Sequence, residues 1–247
     1  MRKLPFLPRS PRLLVGLSVA VLLGIAGWWA CHRTAPREAT SITAATSDAP
    51  SETPPPAPAG PPWIYGRADA RFTVVEFADL ECPYCRAYFP VLKGWIDAHP
   101  EMNWQWQHLP LAMHDPAATA EARIAECAGE AGGHAAFWKA VTWIYTHTRG
   151  DGQGLPPGVP YPDLSPDVQR CLGSDRPDAA IQAQSAEAAR LGIQATPTLQ
   201  VRDRQSGKAI VLPGPVEGDA LLSAIDLIAH QQESTPPAME SPEAARR

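Results

Sequence analysis

The sequence predicts an α/β domain: a sheet of four strands with helices on its faces, interrupted by an inserted block of helices. Three observations predict it. A β-branched and aromatic run at 72–77 (FTVVEF) is followed within a few residues by a helix that opens on Cys82-Pro83-Tyr84-Cys85. A second strand and then some 75 residues of helical periodicity come next. The described order closes with two short strands and an amphipathic helix, so the chain reads β-α-β, helices, β-β-α.

Taken from the N-terminus, Arg2, Lys3, Arg9 and Arg12 precede an uncharged run at 13–30, LLVGLSVAVLLGIAGWWA. As a helix this run is about 27 Å long, at about 1.5 Å per residue, which spans a bilayer. The basic excess before it places residues 1–12 in the cytoplasm and everything downstream outside, with Trp28 and Trp29 at the far interface. A cleaved signal peptide is the competing reading. The run is longer than the usual apolar core of such a peptide, and no small-x-small site precedes the tryptophans, so an uncleaved anchor is expected. Cys31 is read as an interfacial thiol, because Trp28-Trp29-Ala30 does not have the Leu-small-small pattern of a lipoprotein.

Residues 31–62 form a tether. From 35 to 62 there are eight prolines in 28 residues among Ala, Ser and Thr, with no apolar period that could build a core. Extended at about 3.1 Å per residue, that stretch reaches roughly 85 Å. The folded domain is expected at 63–231 and a frayed polar tail at 232–247. The strand after 72–77 is 102–109, where Met102, Trp104, Trp106 and His108 alternate with Asn103, Gln105 and Gln107. Residues 198–202 and 209–212, separated by a Gln205-Ser206-Gly207 turn, read as a hairpin. Helical stripes run through Phe89, Leu92 and Ile96; Ala117, Ala120, Ile124 and Ala128; Phe137, Val141 and Ile144; and Ile181, Ser185 and Ala188. A last one runs through Leu221, Leu222, Ile225, Ile228 and Ala229. The helical insertion occupies about 113–191.

With 247 residues and 45% hydrophobic content the chain is neither a disulfide-stapled miniprotein nor wholly disordered. Residues 63–247 carry 15 basic and 23 acidic side chains, which argues against a nucleic-acid partner, since such a partner wants a basic patch. Seven histidines show no paired metal spacing, so no metal is expected.

Chemistry is concentrated at Cys82 and Cys85. Pro83 suits the first helical position, where its missing N–H would have had no partner anyway. A sulfur at that helix start faces free N–H groups and the positive end of the dipole, so the Cys82 thiolate should be stabilised. Cys85, one turn in, should be more buried and inert until a mixed disulfide forms on Cys82, which it can then resolve. The competing readings are a structural disulfide and half of a zinc site, but Cys127 and Cys171 stand 44 residues apart and supply no second close pair. Five cysteines leave at least one thiol outside any intramolecular set. In an oxidising compartment Cys127 and Cys171 are expected to be joined, with independent thiols or a second redox pair as alternatives. An acyl-transfer enzyme with His108 or His114 as base to Cys82 is a further possibility, though Cys85 would compete with it. Asp79 and Glu81 are placed on an exposed turn, where they would oppose thiolate formation. Trp104 and Trp106 are assigned to the core.

The stretch 66–89, GRADARFTVVEFADLECPYCRAYF, together with 192–198, GIQATPT, resembles the DsbA-like branch of the thioredoxin superfamily. The resemblance covers 63–231. It implies a thioredoxin fold with a helical insertion, and an extracytoplasmic enzyme that makes or rearranges disulfides in secreted or envelope proteins without a cofactor. It further implies Cys82 as nucleophile, Cys85 as resolving thiol, and a cis bond between Thr196 and Pro197. The Thr196 backbone would be left free to pair with an extended substrate. Glu76 falls where relatives carry a buried carboxylate, which could accept or return the proton of Cys85. The resemblance implies an oxidase first; Tyr84 stands where the best-known oxidases have His, which makes the reduced form less favoured and keeps a reductase or isomerase as the second reading. A membrane redox partner is implied, and the tether in place of a dimerisation domain implies a monomer. A reading from another class, a non-enzymatic peptide-binding assembly protein, uses the same fold.

Overall fold

The computed structural model describes residues 60–230. Its elements are β1 (Ile64–Gly66), β2 (Phe72–Ala78), α1 (Pro83–Ala98), β3 (Met102–His108), α2 (Ala117–His147), α3 (Pro166–Leu172), α4 (Arg176–Arg190), β4 (Thr198–Asp203), β5 (Ala209–Pro213) and α5 (Gly218–His230). One mixed sheet runs β1-β3-β2-β4-β5, with β2 and β3 parallel and the other pairs antiparallel. The chain has the thioredoxin fold, with α2, α3 and α4 forming the helical insertion. Where four strands are expected there are five. The extra strand, β1, has only three residues, too few to show a period of two, and it exists because Ile64 and Tyr65 can pair with Gln105 and Trp104.

Alternation sorts the strands by face. Val74, Trp104, Trp106, Leu199 and Val201 point into the larger core, which α1, α2 and α5 cover with Leu92, Ile96, Phe137, Ile144, Leu221 and Ile225. Val75 and Phe77 point the other way, onto Ala188 of α4 and Ile193. The tryptophans of β3 are core residues: Trp104 lies 4.4 Å from the Trp138 ring, centroid to centroid, and Trp106 meets Phe137 edge-on. Helix α2 comes so close to Trp63 that a Cβ at Gly129 would lie 2.6 Å from the indole, so only glycine fits. Gly133 breaks the same helix with φ 71° and ψ −165°, a left-handed conformation that glycine adopts at little cost. Before the break α2 buries Ala118, Ala122, Ala125 and Ala128 where Ala117, Ala120, Ile124 and Ala128 are expected; after it Phe137, Val141 and Ile144 are buried as expected.

No helix among the described residues is long and apolar enough to cross a membrane. The predicted span at 13–30, Cys31, most of the tether and the tail at 232–247 lie outside the described residues.

Candidate active site

The parallel strand β2 ends at Ala78, and after four intervening residues α1 begins with Pro83 at its first position and Cys82 as its extended N-cap (φ −73°, ψ 120°). The loop before β4 brings the Thr196-Pro197 peptide, which is cis, against the same point. Cys82 Sγ donates to the Thr196 carbonyl at 3.5 Å. Both cysteines are unbonded to one another. Cys82 is 3% exposed at the outer end of the pair, beside a Tyr84 that is 69% exposed; Cys85 is fully buried.

The two sulfurs are electrostatically unlike. The Cys82 thiol is brought down to about 6, first because the Cys85 thiol donates to its sulfur, with Thr196 and the amides of Cys85 and Tyr84 adding to the effect against the cost of burial. The Thr196 hydroxyl has no other partner, so it is available to a thiolate. The helix-start amides thus act as the sequence argument requires, but the neighbouring thiol does more. Burial pushes Cys85 far up, and its donation to Cys82 and the nearby Glu76 push in the same direction. Cys82 is therefore mostly anionic at neutral pH and Cys85 stays protonated.

Glu76 lies on the β2 face that carries Val74, 1% exposed and paired in register with Trp106 and Leu199. Neither carboxylate oxygen has a hydrogen-bond partner of good geometry, and the Trp104 indole N–H is likewise unpaired. Burial, opposed by that indole and reinforced by the charge of Cys82, raises Glu76 to about 8, so at neutral pH it holds a proton. Its field is felt by Cys85, so a proton donor and acceptor lies within electrostatic reach of the resolving sulfur.

The turn between β2 and α1 corrects the sequence reading. Asp79 and Glu81 are buried, not exposed. Asp79 accepts from the amides of Glu81 and Leu111, both at 2.8 Å, and pairs with His114 Nδ1 at 2.7 Å; the Tyr145 hydroxyl donates to its carbonyl. Glu81 accepts from the Thr148 hydroxyl and from the Gly154 amide at 2.9 Å. The reason is tertiary: the insertion folds over this turn and supplies donors that no local pattern reveals.

Neither histidine offered as a base to Cys82 is among its hydrogen-bond partners. His108 is buried, accepts from the Trp106 indole at 3.0 Å, and burial lowers it to about 3; His114 is committed to Asp79. Cys127 and Cys171 are bonded, joining α2 to α3 in a small buried cluster with Val168. No group of three or more His, Cys, Asp or Glu side chains suited to a metal ion occurs among the described residues.

Glu121, Arg86 and Thr148 also border this turn and are absent from the sequence reading. A signal existed for Glu121: it lies three residues after Ala118 and four before Ala125, on the buried stripe of α2.

A family model described as thioredoxin matches residues 59–226. Among solved structures, that of Pseudomonas aeruginosa DsbA2 is 45% identical, with a TM-score of 0.65, covering 68% of this chain and 94% of the other. A thioredoxin-like oxidoreductase from Silicibacter pomeroyi is 27% identical with a TM-score of 0.51, covering 70% and 94%. BdbD from Bacillus subtilis, at 21% identity and a TM-score of 0.54 over 67% and 91%, shares the fold. The curated relatives include Na(+)/H(+) antiporter NhaA 3 of Salinispora tropica, 33% identical over 168 residues, or 66% of this chain. The chain spans about a quarter of that relative's length, 24%.

Proposed function

The chain belongs to the DsbA-like thiol-disulfide oxidoreductase family of the thioredoxin superfamily, and from that premise we propose that it works as an oxidase of cysteine pairs in secreted or envelope proteins. The observation that carries this reading is the inequality of the two sulfurs, Cys82 drawn down to about 6 and Cys85 pushed up beside a protonated Glu76.

In the oxidised enzyme a substrate thiolate attacks Cys82 Sγ. The Cys82–Cys85 bond breaks, and Cys85 leaves with the electron pair and takes a proton, a role the buried, protonated Glu76 can fill as donor. The second substrate thiolate then attacks the substrate sulfur of the mixed disulfide, and Cys82 departs as a thiolate. Low basicity makes Cys82 a good leaving group, so the second step runs toward substrate disulfide and reduced enzyme. The substrate loses two electrons and two protons, and the enzyme gains the electrons. A membrane redox partner must remove them again. Thr196, preceding a cis proline, presents its backbone to an extended substrate segment.

Under this reading residues 13–30 anchor the domain outside the cytoplasmic membrane, and the tether lets it range over its substrates as a monomer. Tyr84 favours a second reading, reductase or isomerase, because it leaves Cys82 without the positive charge of a histidine. Equilibration with glutathione separates the two. A potential well above the thioredoxin value of about −270 mV supports the oxidase, and one near that value assigns the reductant role. Should Cys82→Ala leave cellular function intact, the non-enzymatic assembly role would replace both.

A further inference from the structure

The turn that presents Cys82 is stapled from both sides to one residue of the insertion. On the N-terminal side, Glu81, fully buried, receives the Thr148 hydroxyl on one carboxylate oxygen and the Gly154 amide on the other, while its own carbonyl receives the Asp151 amide at 2.8 Å. On the C-terminal side, Arg86, whose amide donates to the Cys82 carbonyl, places its guanidinium on the Thr148 carbonyl at 2.9 Å. Residues 81 and 86 bracket the Cys-Pro-Tyr-Cys segment, so Thr148 fixes the frame in which the sulfurs sit.

A second carboxyl, Glu121, lies within hydrogen-bonding reach of Glu81 and Thr148. Glu121 of α2 is 2% exposed, and neither of its oxygens has a partner when both glutamates are taken as acceptors. Two buried anions side by side, with Asp79 next to them, are not sustainable; a proton on Glu121 turns the same contact into a carboxylic acid donating to Glu81. Burial, followed by the negative charge of Glu81, raises Glu121 to about 9, which agrees with that assignment. The groups that act on Glu121 are Glu81 and Asp79 of the turn and Thr148 of the staple, while Glu81 itself receives Thr148 and the Gly154 amide.

We propose that Glu121 is a positioning residue for thiol exchange: it keeps a proton shared with Glu81, and this holds the Glu81-Thr148-Arg86 staple and with it the geometry of Cys82 and Cys85. The inference rests on the exchange activity proposed above. It assigns to the helical insertion a part in the chemistry, through a buried carboxyl of α2 that bears on the turn carrying Cys82 and Cys85. When Glu121 ionises, like charges face each other under the turn and the staple loosens.

The test is the rate of disulfide exchange with a cysteine-containing peptide from pH 6 to 10, in wild type, Glu121→Ala and Glu121→Gln, each with its fold verified by circular dichroism. Glu76 is present in all three, so its titration is common to the curves. Glu121→Ala is expected to exchange about fivefold more slowly at pH 7, the loss of one buried hydrogen bond. Glu121→Gln, which keeps a donor but cannot ionise, is expected to recover most of that rate and to lack the decline that wild type shows near pH 9. A Gln variant as slow as the Ala variant, or one with the wild-type alkaline decline, overturns the proposal. Absence of any exchange that Cys82→Ser abolishes, in the wild type itself, would instead refute the parent reading.

Discussion

The two cysteine pairs of this domain are the same functional group in opposite circumstances. Cys127 and Cys171 come from two helices, 44 residues apart, bonded and enclosed with Val168 in an apolar cluster. Cys82 and Cys85 lie one turn apart on a single helix start, unbonded, with several donors gathered on the first sulfur and burial dominating the second. The difference teaches that reactivity here is a property of surroundings. A sulfur among hydrocarbon is inert, whereas a sulfur at a helix N-cap, with a neighbouring thiol and a cis-proline loop against it, is poised as an anion.

The comparison can be broken most decisively by removing one pair at a time. Cys82→Ala is expected to abolish exchange with a peptide disulfide, and the Cys127→Ala/Cys171→Ala double variant to retain it. Retained exchange in the first variant would reverse the assignment of the two pairs. The double variant should pay in stability instead, by about 4 kcal/mol for a loop of this length in the chain-entropy model, read from urea unfolding. An unchanged midpoint would make that bond idle.

Glu76 sharpens the contrast on the reactive side. Its folded value of about 8 lies above the ordinary 4.5, so the folded protein holds this proton over a range in which the unfolded chain has released it. Its contribution to the stability of the reduced protein is therefore fully favourable below about pH 4.5 and is lost as pH rises toward 8, by on the order of a few kcal/mol. Glu76→Gln should flatten that part of the pH dependence between pH 5 and 8, measured by urea unfolding of the reduced forms. Identical slopes in both proteins would show that Glu76 is not the titrating group.

The smallest expected effect is at Tyr84, whose exposed ring adds no charge to the thiolate. Tyr84→His should move the glutathione equilibrium toward a more oxidising protein by about 30 mV, or about 1.4 kcal/mol. A shift in the reducing direction would show that the residue between the cysteines acts on the disulfide form and not on the thiolate.

Much of this was legible in the chain itself because it is local. A β-branched run, a proline at a helix start and cysteines three apart determine a strand, a turn and a sulfur facing free amides, whatever the rest of the protein does. The same locality places β2, β3, β4 and β5 and the stripes of α1 and α5. Strand β1 was not legible, since three residues carry no period and the pairing partner made the strand.

Only the tertiary structure decided the environment of Asp79, Glu81 and Glu121. Their exposure depends on an insertion that closes over the turn from residues 114, 148 and 154, far away along the chain. Likewise, the fall of Cys82 owes most to the Cys85 thiol and is aided by Thr196, 114 residues on. Sequence patterns report periodicity and neighbours within a few residues; desolvation and the approach of distant donors arise only when separate segments pack, and those set the protons and charges of this site.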